Sequence, residues 1–264
     1  MKTRIISALI MLPLLGILYL GGLPLLWGCF LVGLWGMREF YQAFQQAKIN
    51  SNPFIGYLSL ILLYFLHFME IVENGLGLWL FLTVLLSLCT LFRGFEQAQL
   101  WSALVTLTGV LYVGFFSFHL VLIDASPLPL LAWLAVIVAF GTDVFAYFTG
   151  YLFGKHKLCP AISPKKTVEG AVGGLLGSVL LTFAFFYFFS PDLILHGLWI
   201  GLLGSIFSQV GDLVASMFKR KLGVKDYGTL IPGHGGILDR FDSVLFTSPF
   251  IYYASMWVLI PWEI

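Results

Sequence analysis

The sequence predicts an all-α, polytopic integral membrane protein with about nine transmembrane helices. The first observation is composition, because 59% of the 264 residues are hydrophobic and only 10% are charged, whereas soluble domains carry about 25% charged residues. The second is that most of the chain divides into apolar runs able to cross a bilayer core of about 30 Å. The third is that the positive charges fall on alternate connections between these runs.

Short polar or glycine-containing connections separate the apolar runs. No small-x-small cleavage site follows the first run, so we interpret it as a retained helix rather than a cleaved signal peptide. Residues 21–24, GGLP, predict a tight turn between the first two runs. The runs lie near residues 5–21, 24–37, 54–70, 76–92, 100–123, 128–153, 168–189, 194–217 and 243–261.

The orientation follows from the lysines and arginines. All 14 precede the first run or follow an even-numbered run. The positive-inside rule therefore predicts a cytoplasmic N-terminus, an external C-terminus and an odd number of spans. We divide the chain into N-terminal transmembrane helices, 1–125, with about five spans, and a C-terminal catalytic region, 126–264, with about four. The second region holds two polar cytoplasmic connections, 154–167 and 218–242.

Two aspartates lie inside the apolar runs, Asp143 and Asp212, where ionisable residues are costly and usually functional. On the eighth run, polar residues are spaced alternately four and three apart, which places them in one stripe on a helix. The stripe predicts either a polar seam between helices or the wall of a wet cavity. Its members are Ser205, Gln209, Asp212, Ser216 and Lys219.

The connection before the seventh run is typical of an anion site. Ser163 followed by Pro164 predicts a helix N-cap with proline at the first helical position. Lys165 and Lys166 would then lie beside free backbone amides at a helix N-terminus, which suits an anion. Ordinary positive-inside lysines are the alternative. The seventh run itself begins with two overlapping small-xxx-small pairs, which predict close helix packing; they are Gly170 with Gly174 and Gly173 with Gly177.

The connection before the ninth run combines glycines with carboxylates. Residues 232–236, PGHGG, predict a non-helical loop whose amides can approach a phosphate closely. Asp239 and Asp242 follow three residues apart, so a helical start would place both on one face. Carboxylates beside phosphate-binding loops indicate Mg²⁺; a solvated loop with scattered charge is the alternative. Together these patterns predict nucleotide or phosphate chemistry on a lipid substrate, without choosing the nucleotide.

The same stretch resembles the signature of phosphatidate cytidylyltransferases (CDP-diacylglycerol synthases). The resemblance is strong over residues 139–245 and extends to the N-terminal half by topology alone. Ala215 stands where many members carry an acidic residue, and we expect Ala215→Glu to be tolerated. The matching segments are 216–220, 225–228, 231–243, 143–147, 153–155 and 163–170.

The resemblance implies a reaction in which the phosphate of phosphatidic acid attacks the α-phosphorus of CTP. It implies Mg²⁺, with K⁺ as a second cation, and a bacterial cytoplasmic (inner) membrane. The implied catalytic residues are Asp212, Lys219, Asp239 and Asp242, of which the three aspartates hold metal. The implied substrate-binding residues are Asp143, Lys165, Lys166, Ser216, Arg220, Lys225, Asp226, His234, Gly235, Gly236 and Arg240.

The same residues are also compatible with two other functions. One is a CTP-using lipid kinase that transfers the γ-phosphoryl group to a polyprenol or similar alcohol. The other is an ion or solute transporter with Asp143 and Asp212 as transport carboxylates, against which the absence of paired halves counts. A net charge of +1 predicts no nucleic-acid partner. The oligomeric state stays open, with a homodimer as one alternative.

Overall fold

The computed structural model describes residues 13–94, 96–230, 233 and 235–259. Helices occupy most of these residues, and within them the only strands form one two-stranded hairpin. The described part of the first helix, α1, is 13–20. The further helices are α2 (Gly22–Gln46), α3 (Pro53–Phe68), α4 (Val72–Cys89), α5 (Gln97–Thr108), α6 (Phe116–Asp124), α7 (Leu131–Phe153), α8 (Val168–Phe189), α9 (Ile194–Leu222) and α10 (Leu238–Ala254).

Local sequence explains several helix boundaries. The Asn52 side chain accepts the Ile55 amide at 3.4 Å, and Pro53 takes the first position of α3, a place where its missing N–H costs nothing. A π-helical turn, Gly109–Phe115, joins α5 to α6, so that Gln97–Asp124 is one continuous helix. Gly223, with φ of +72°, follows the end of α9 in the left-handed conformation common after helices.

Five of the described helices are long and apolar enough to cross a membrane: Asn74–Phe92, Gln97–Asp124, Leu131–Phe153, Val168–Phe189 and Pro191–Leu222. The prediction of an all-α membrane protein is confirmed at this level. A helix lies in each of the nine predicted regions, but nine crossings and the orientation of the termini stay predictions. The beginning of the first run and the end of the ninth lie outside the described residues.

The chain divides into two compact units. Unit 1 is Met1–Phe118 with Lys221–Arg240, and unit 2 is His119–Arg220 with Phe241–Ile264. The core of unit 1 includes Met37, Phe40, Leu60 and Leu63, and that of unit 2 includes Leu134, Ala135, Val138 and Ala139. Each unit keeps many large apolar side chains exposed, as a lipid-facing surface requires.

The predicted cap at Ser163 is wrong. Ser163–Thr167 is a strand, β2, which pairs antiparallel with β1 (Lys157–Cys159), and α8 begins only at Val168. Thr167 is the N-cap, since its Oγ1 accepts the Gly170 amide at 3.1 Å. Thr167 supplies the cap, and Glu169 places a negative charge in the first turn, where the helix dipole favours it. No acidic residue occupies the turn that would follow a cap at Ser163.

Close packing of α7 against α8 confirms the prediction from the glycine pairs. A Cβ at Gly173 would overlap the Thr149 side chain, and one at Gly177 would overlap the Phe145 ring. Gly174 lies against Thr142, whose backbone oxygen would be 3.0 Å from an added Cβ. The absence of side chains on this face of α8 is therefore what lets the two helices approach.

Gly173→Ala is expected to destabilise unit 2 by about 1–3 kcal/mol, because the added methyl forces the packed α7–α8 contact to shift. Gly77→Ala is the matched control, since a Cβ there meets nothing within 4 Å and alanine favours the helix by up to about 1 kcal/mol. Thermal unfolding of the two variants in detergent would measure the difference. Equal unfolding temperatures would contradict the packing interpretation.

Candidate active site

Three carboxylates converge in unit 2, one from each of α7, α9 and α10. Asp242 is buried and lies within electrostatic range of Asp212, Asp143 and the ammonium group of Lys219. Serine hydroxyls support the other two carboxylates. Ser216 Oγ donates to Asp212 Oδ1 at 3.3 Å, and Ser243 Oγ donates to Asp143 Oδ2 at 3.3 Å. The structure thus brings together five residues that the sequence predicted for the site: Asp143, Asp212, Ser216, Lys219 and Asp242.

The polar stripe of α9 serves both of the predicted purposes. At one end, Ser205 is fully buried and its Oγ accepts from Thr142 Oγ1 at 3.0 Å, which joins α9 to α7. Gln209 Nε2 donates to the Ala171 oxygen of α8 at 3.2 Å. Gln209 also lines a cavity, as does Asp212. The stripe is thus a helix seam at Ser205 and Gln209 and a cavity wall at Gln209 and Asp212, whereas Ser216 and Lys219 lie outside the cavity lining.

The cavity has a volume of about 500 Å³ and lies wholly within unit 2. Its charged lining consists of two carboxylates, Asp143 and Asp212, with three lysines, Lys157, Lys165 and Lys166. Lys166 Nζ lies 2.5 Å from Asp212 Oδ2, so the α9 stripe and the hairpin meet here in an ion pair. The sequence interpretation missed Lys157, which β1 places opposite β2.

Two tyrosines add an aromatic wall that was also not predicted. Tyr147 and Tyr151 lie one turn apart on α7 and their rings stack at 6.3 Å between centroids. Both line the cavity and both are mostly exposed. Rings of this kind, with an apolar body and a polar tip, suit the boundary between lipid and water. The cavity lining therefore combines lysines and carboxylates with an amphipathic wall that the two tyrosines form.

The hairpin that carries these lysines is held at both of its ends. The Glu169 carboxylate accepts the Lys155 amide at 3.0 Å and pairs with His156 Nδ1 at 2.6 Å. Near the turn, Arg220 Nε donates to the Ile162 oxygen at 3.2 Å. Arg220, predicted as a phosphate ligand, thus has a structural contact as well. The lysines are presented on an ordered support.

The glycine loop before α10 belongs to unit 1. Asp239 Oδ2 accepts two backbone amides there, from Tyr227 at 2.8 Å and from Gly236 at 3.0 Å. Gly235 has φ of +84°, a conformation open mainly to glycine. Asp239 therefore organises the loop, and its predicted metal-binding role stays a prediction. His234 lies outside the described residues.

Glu39 of α2 is a second carboxylate on this loop, and the sequence interpretation did not select it. Glu39 is only 3% exposed, and its two oxygens accept the amides of Ile237 at 3.1 Å and Leu238 at 2.9 Å. Burial raises the pKa of the Glu39 carboxyl above its ordinary value, whereas these two amides act in the opposite direction. The only sequence signal was an acidic residue just beyond the end of the second apolar run.

The remaining predicted residues of unit 1 are Lys225, Asp226 and Arg240. Lys225 and Asp226 are exposed and line a groove between the loop and α2. The Nε of Arg240 is buried without a hydrogen-bond partner among the described residues. Within the same residues, no group of three or more His, Cys, Asp or Glu side chains is spaced to hold a metal ion.

Comparison with known proteins decides the family. The model of the cytidylyltransferase family matches residues 2–258. The chain belongs to the cytidylyltransferase family. The chain is 37% identical to the phosphatidate cytidylyltransferase of Staphylococcus haemolyticus over 95% of the chain and 97% of that protein. The enzymes of the same name from Staphylococcus epidermidis and Staphylococcus aureus are 37% and 36% identical, again over 95% of the chain and 97% of each relative.

Ala215 is fully buried on α9, one residue before Ser216. A glutamate at this position would bring a charged side chain of larger volume into a filled interior. The tolerance of Ala215→Glu that the sequence led us to expect is therefore not supported by the structure. The small residue fits the packing that surrounds it.

Proposed function

We propose that the chain is a phosphatidate cytidylyltransferase, which converts CTP and phosphatidic acid into CDP-diacylglycerol and pyrophosphate. The family membership and the names of the relatives support this proposal. The observation that carries it is the unit 2 cavity, in which lysines, carboxylates and an amphipathic aromatic wall meet. A lipid phosphate fits this lining, because lysines neutralise its anionic headgroup and the aromatic wall suits its apolar chains, whereas the carboxylates would meet the phosphate through a bound cation.

The proposed reaction needs no nucleophile from the protein. A non-bridging oxygen of the lipid phosphate forms a bond to the α-phosphorus of CTP. The bond from that phosphorus to the oxygen bridging to the β-phosphorus breaks, and its electron pair leaves with pyrophosphate. The protein has to hold two anions together, so its contribution is positioning and neutralisation of charge.

Lys165 and Lys166 are the proposed ligands of the lipid phosphate. Lys166 is already paired with Asp212, so an incoming phosphate would share its ammonium group with that carboxylate. Lys157 adds a third positive charge to the same lining. Arg220, Lys225 and Arg240 are proposed to bind phosphates, and Ser216, through its bond to Asp212, to orient a carboxylate.

The carboxylates of unit 2 supply the oxygen ligands that a magnesium ion prefers. Asp242 is buried beside two other carboxylates, and like charges in such a place need a cation. Mg²⁺ takes oxygen ligands and usually keeps waters and substrate phosphates in its shell, so a complete protein cage is not required. We propose that Asp212 and Asp242 hold it. The metal role that the sequence predicts for Asp239, in unit 1, is a separate proposal. When bound, the ion would neutralise phosphate charge.

The remaining proposals concern the membrane. We propose nine spans with a cytoplasmic N-terminus and an external C-terminus, in a bacterial cytoplasmic membrane. The charge sorting and the bacterial relatives support this arrangement. We also propose K⁺ as a second cation and a homodimer as the oligomeric state.

Labelled CTP tests the function. Purified protein with phosphatidic acid, Mg²⁺ and α-³²P-labelled CTP is expected to yield labelled lipid, and γ-³²P-labelled CTP is expected to yield labelled pyrophosphate only. Label in lipid from γ-³²P-labelled CTP would instead support a lipid kinase. Omission of phosphatidic acid is the control for hydrolysis of CTP. Flux into proteoliposomes with no turnover of CTP would favour a transporter.

A further inference from the structure

Unit 1 contains a polar groove of about 640 Å³ between α2 and the loop that follows α9. The helix contributes Trp35, Arg38, Glu39, Gln42 and Gln46, and the loop contributes 223–230. Arg38 Cζ lies 5.2 Å from the centroid of the Trp35 ring. Aromatic and guanidinium planes are surfaces on which bases stack, and side-chain amides can pair with base edges.

Glu39 fixes the backbone of the loop that forms one wall of this groove. Its carboxylate accepts the amides of Ile237, the residue before α10, and of Leu238, the first residue of α10; amides at a helix N-terminus have no partner within the helix. These bonds join positions 198 and 199 residues apart in the chain. Among the described residues no lysine or arginine forms an ion pair with Glu39. Backbone amides therefore bind the carboxylate directly, and the positive charge of Arg38 acts on it from a longer distance.

Two glycines show how closely the loop wraps this carboxylate. A Cβ at Gly228 or at Gly236 would overlap the oxygens of Glu39. Asp239 Oδ2 meanwhile binds the amides of Tyr227 and Gly236. The loop is thus held from two sides, and its outer face is left to line the groove.

Charged side chains of both signs line the groove. Arg38 and the exposed Lys225 contribute positive charge, and Glu39 and Asp226 contribute negative charge. The two cations are the candidates for contact with phosphate. Arg240 lies in the same segment but outside the groove lining, and its buried Nε has no hydrogen-bond partner among the described residues.

We propose that this groove of unit 1 receives the nucleotide substrate, and that Glu39 is a positioning residue that sets the shape of the loop for it. The proposal rests on the proposed function and adds to it the place of CTP within unit 1. Glu39 lies in the groove lining, and its proposed effect acts through the backbone amides that its carboxylate binds. Trp35 and Gln42 lie where base and ribose would be recognised.

Glu39→Gln is the direct test. The glutamine side chain has one acceptor oxygen and one NH₂ group in place of the two carboxylate oxygens. The NH₂ group cannot accept a hydrogen bond from a backbone amide, so one of the two bonds from Ile237 and Leu238 is lost. We expect the KM for CTP to rise about tenfold while the KM for phosphatidic acid is unchanged. Hydrogen exchange of the backbone amides of residues 226–230 and 235–238 is expected to quicken in the same variant. Glu96→Gln is the matched control, because Glu96 is an exposed acidic residue of unit 1.

A second variant separates binding from folding. Gln42→Ala leaves the bonds of Glu39 intact and is expected to raise the KM for CTP alone, with wild-type hydrogen exchange. An inactive fraction of protein lowers turnover but leaves KM unchanged, so misfolding would not imitate this result. Wild-type KM for CTP in both variants, or an equal rise in both KM values, would overturn the proposal. Absence of turnover in the wild-type protein would instead remove the proposed function.

Discussion

Asp242→Asn is expected to lower turnover of CTP and phosphatidic acid by at least about a hundredfold. The substitution keeps the shape of the side chain and removes the charge at the centre of the unit 2 carboxylates. The same change relieves repulsion from Asp212 and Asp143, so the unfolding temperature is not expected to fall. Loss of activity without loss of stability would separate a functional charge from a structural one.

The control for this variant is Asp192→Asn, which makes the same chemical change at an exposed position of unit 2. Asp239→Asn is the companion substitution, and it should also lose activity. Asp239 holds two amides of the glycine loop, so this variant should in addition lose stability. Turnover close to wild type in both Asp242→Asn and Asp239→Asn would refute the metal role.

Lys166→Met is expected to lower kcat/KM for phosphatidic acid by about ten- to a hundredfold. The methionine keeps much of the apolar stem but removes the ammonium group that pairs with Asp212, which leaves a carboxylate of the cavity without its cation. A rise in KM for phosphatidic acid with an unchanged KM for CTP would locate the effect at the lipid. Kinetics in mixed micelles with each substrate varied in turn would measure it.

Lys48→Met provides the comparison, because Lys48 is exposed on unit 1 and does not line the cavity. Lys166→Arg preserves the charge and should retain more activity than Lys166→Met. If Lys166→Met and Lys48→Met gave the same kinetics, the proposed lipid phosphate site would be wrong.

Features that repeat within a single stretch of chain were predictable from the sequence. The apolar runs, the glycine pairs of α8 and the polar stripe of α9 each depend on helical periodicity, which needs no knowledge of distant residues. Asp143 and Asp212 were selected because ionisable residues inside apolar segments are costly and usually functional. Asp242 was selected with Asp239 from their spacing beside the glycine loop, and the structure places Asp242 near Asp143 and Asp212.

Features that depend on distant parts of the chain were not predictable in the same way. Glu39 meets residues near 238, and nothing in the local pattern at either end indicates the other. Lys157 enters the cavity only because β1 pairs with β2. Serine followed by proline favours a helix start at Ser163. In the structure these residues instead belong to β2, which pairs with β1, and Thr167 caps α8, which therefore begins at Val168.

The anchoring of the hairpin by Glu169 and Arg220 has an energetic consequence. A lysine side chain on a mobile loop gives up backbone freedom each time it captures a phosphate, at a cost of about 1–2 kcal/mol for each residue that becomes ordered. In this protein the backbone of Lys165 and Lys166 is ordered when the chain folds, so the loss of entropy does not recur with every substrate molecule. The support can remain in place from one turnover to the next.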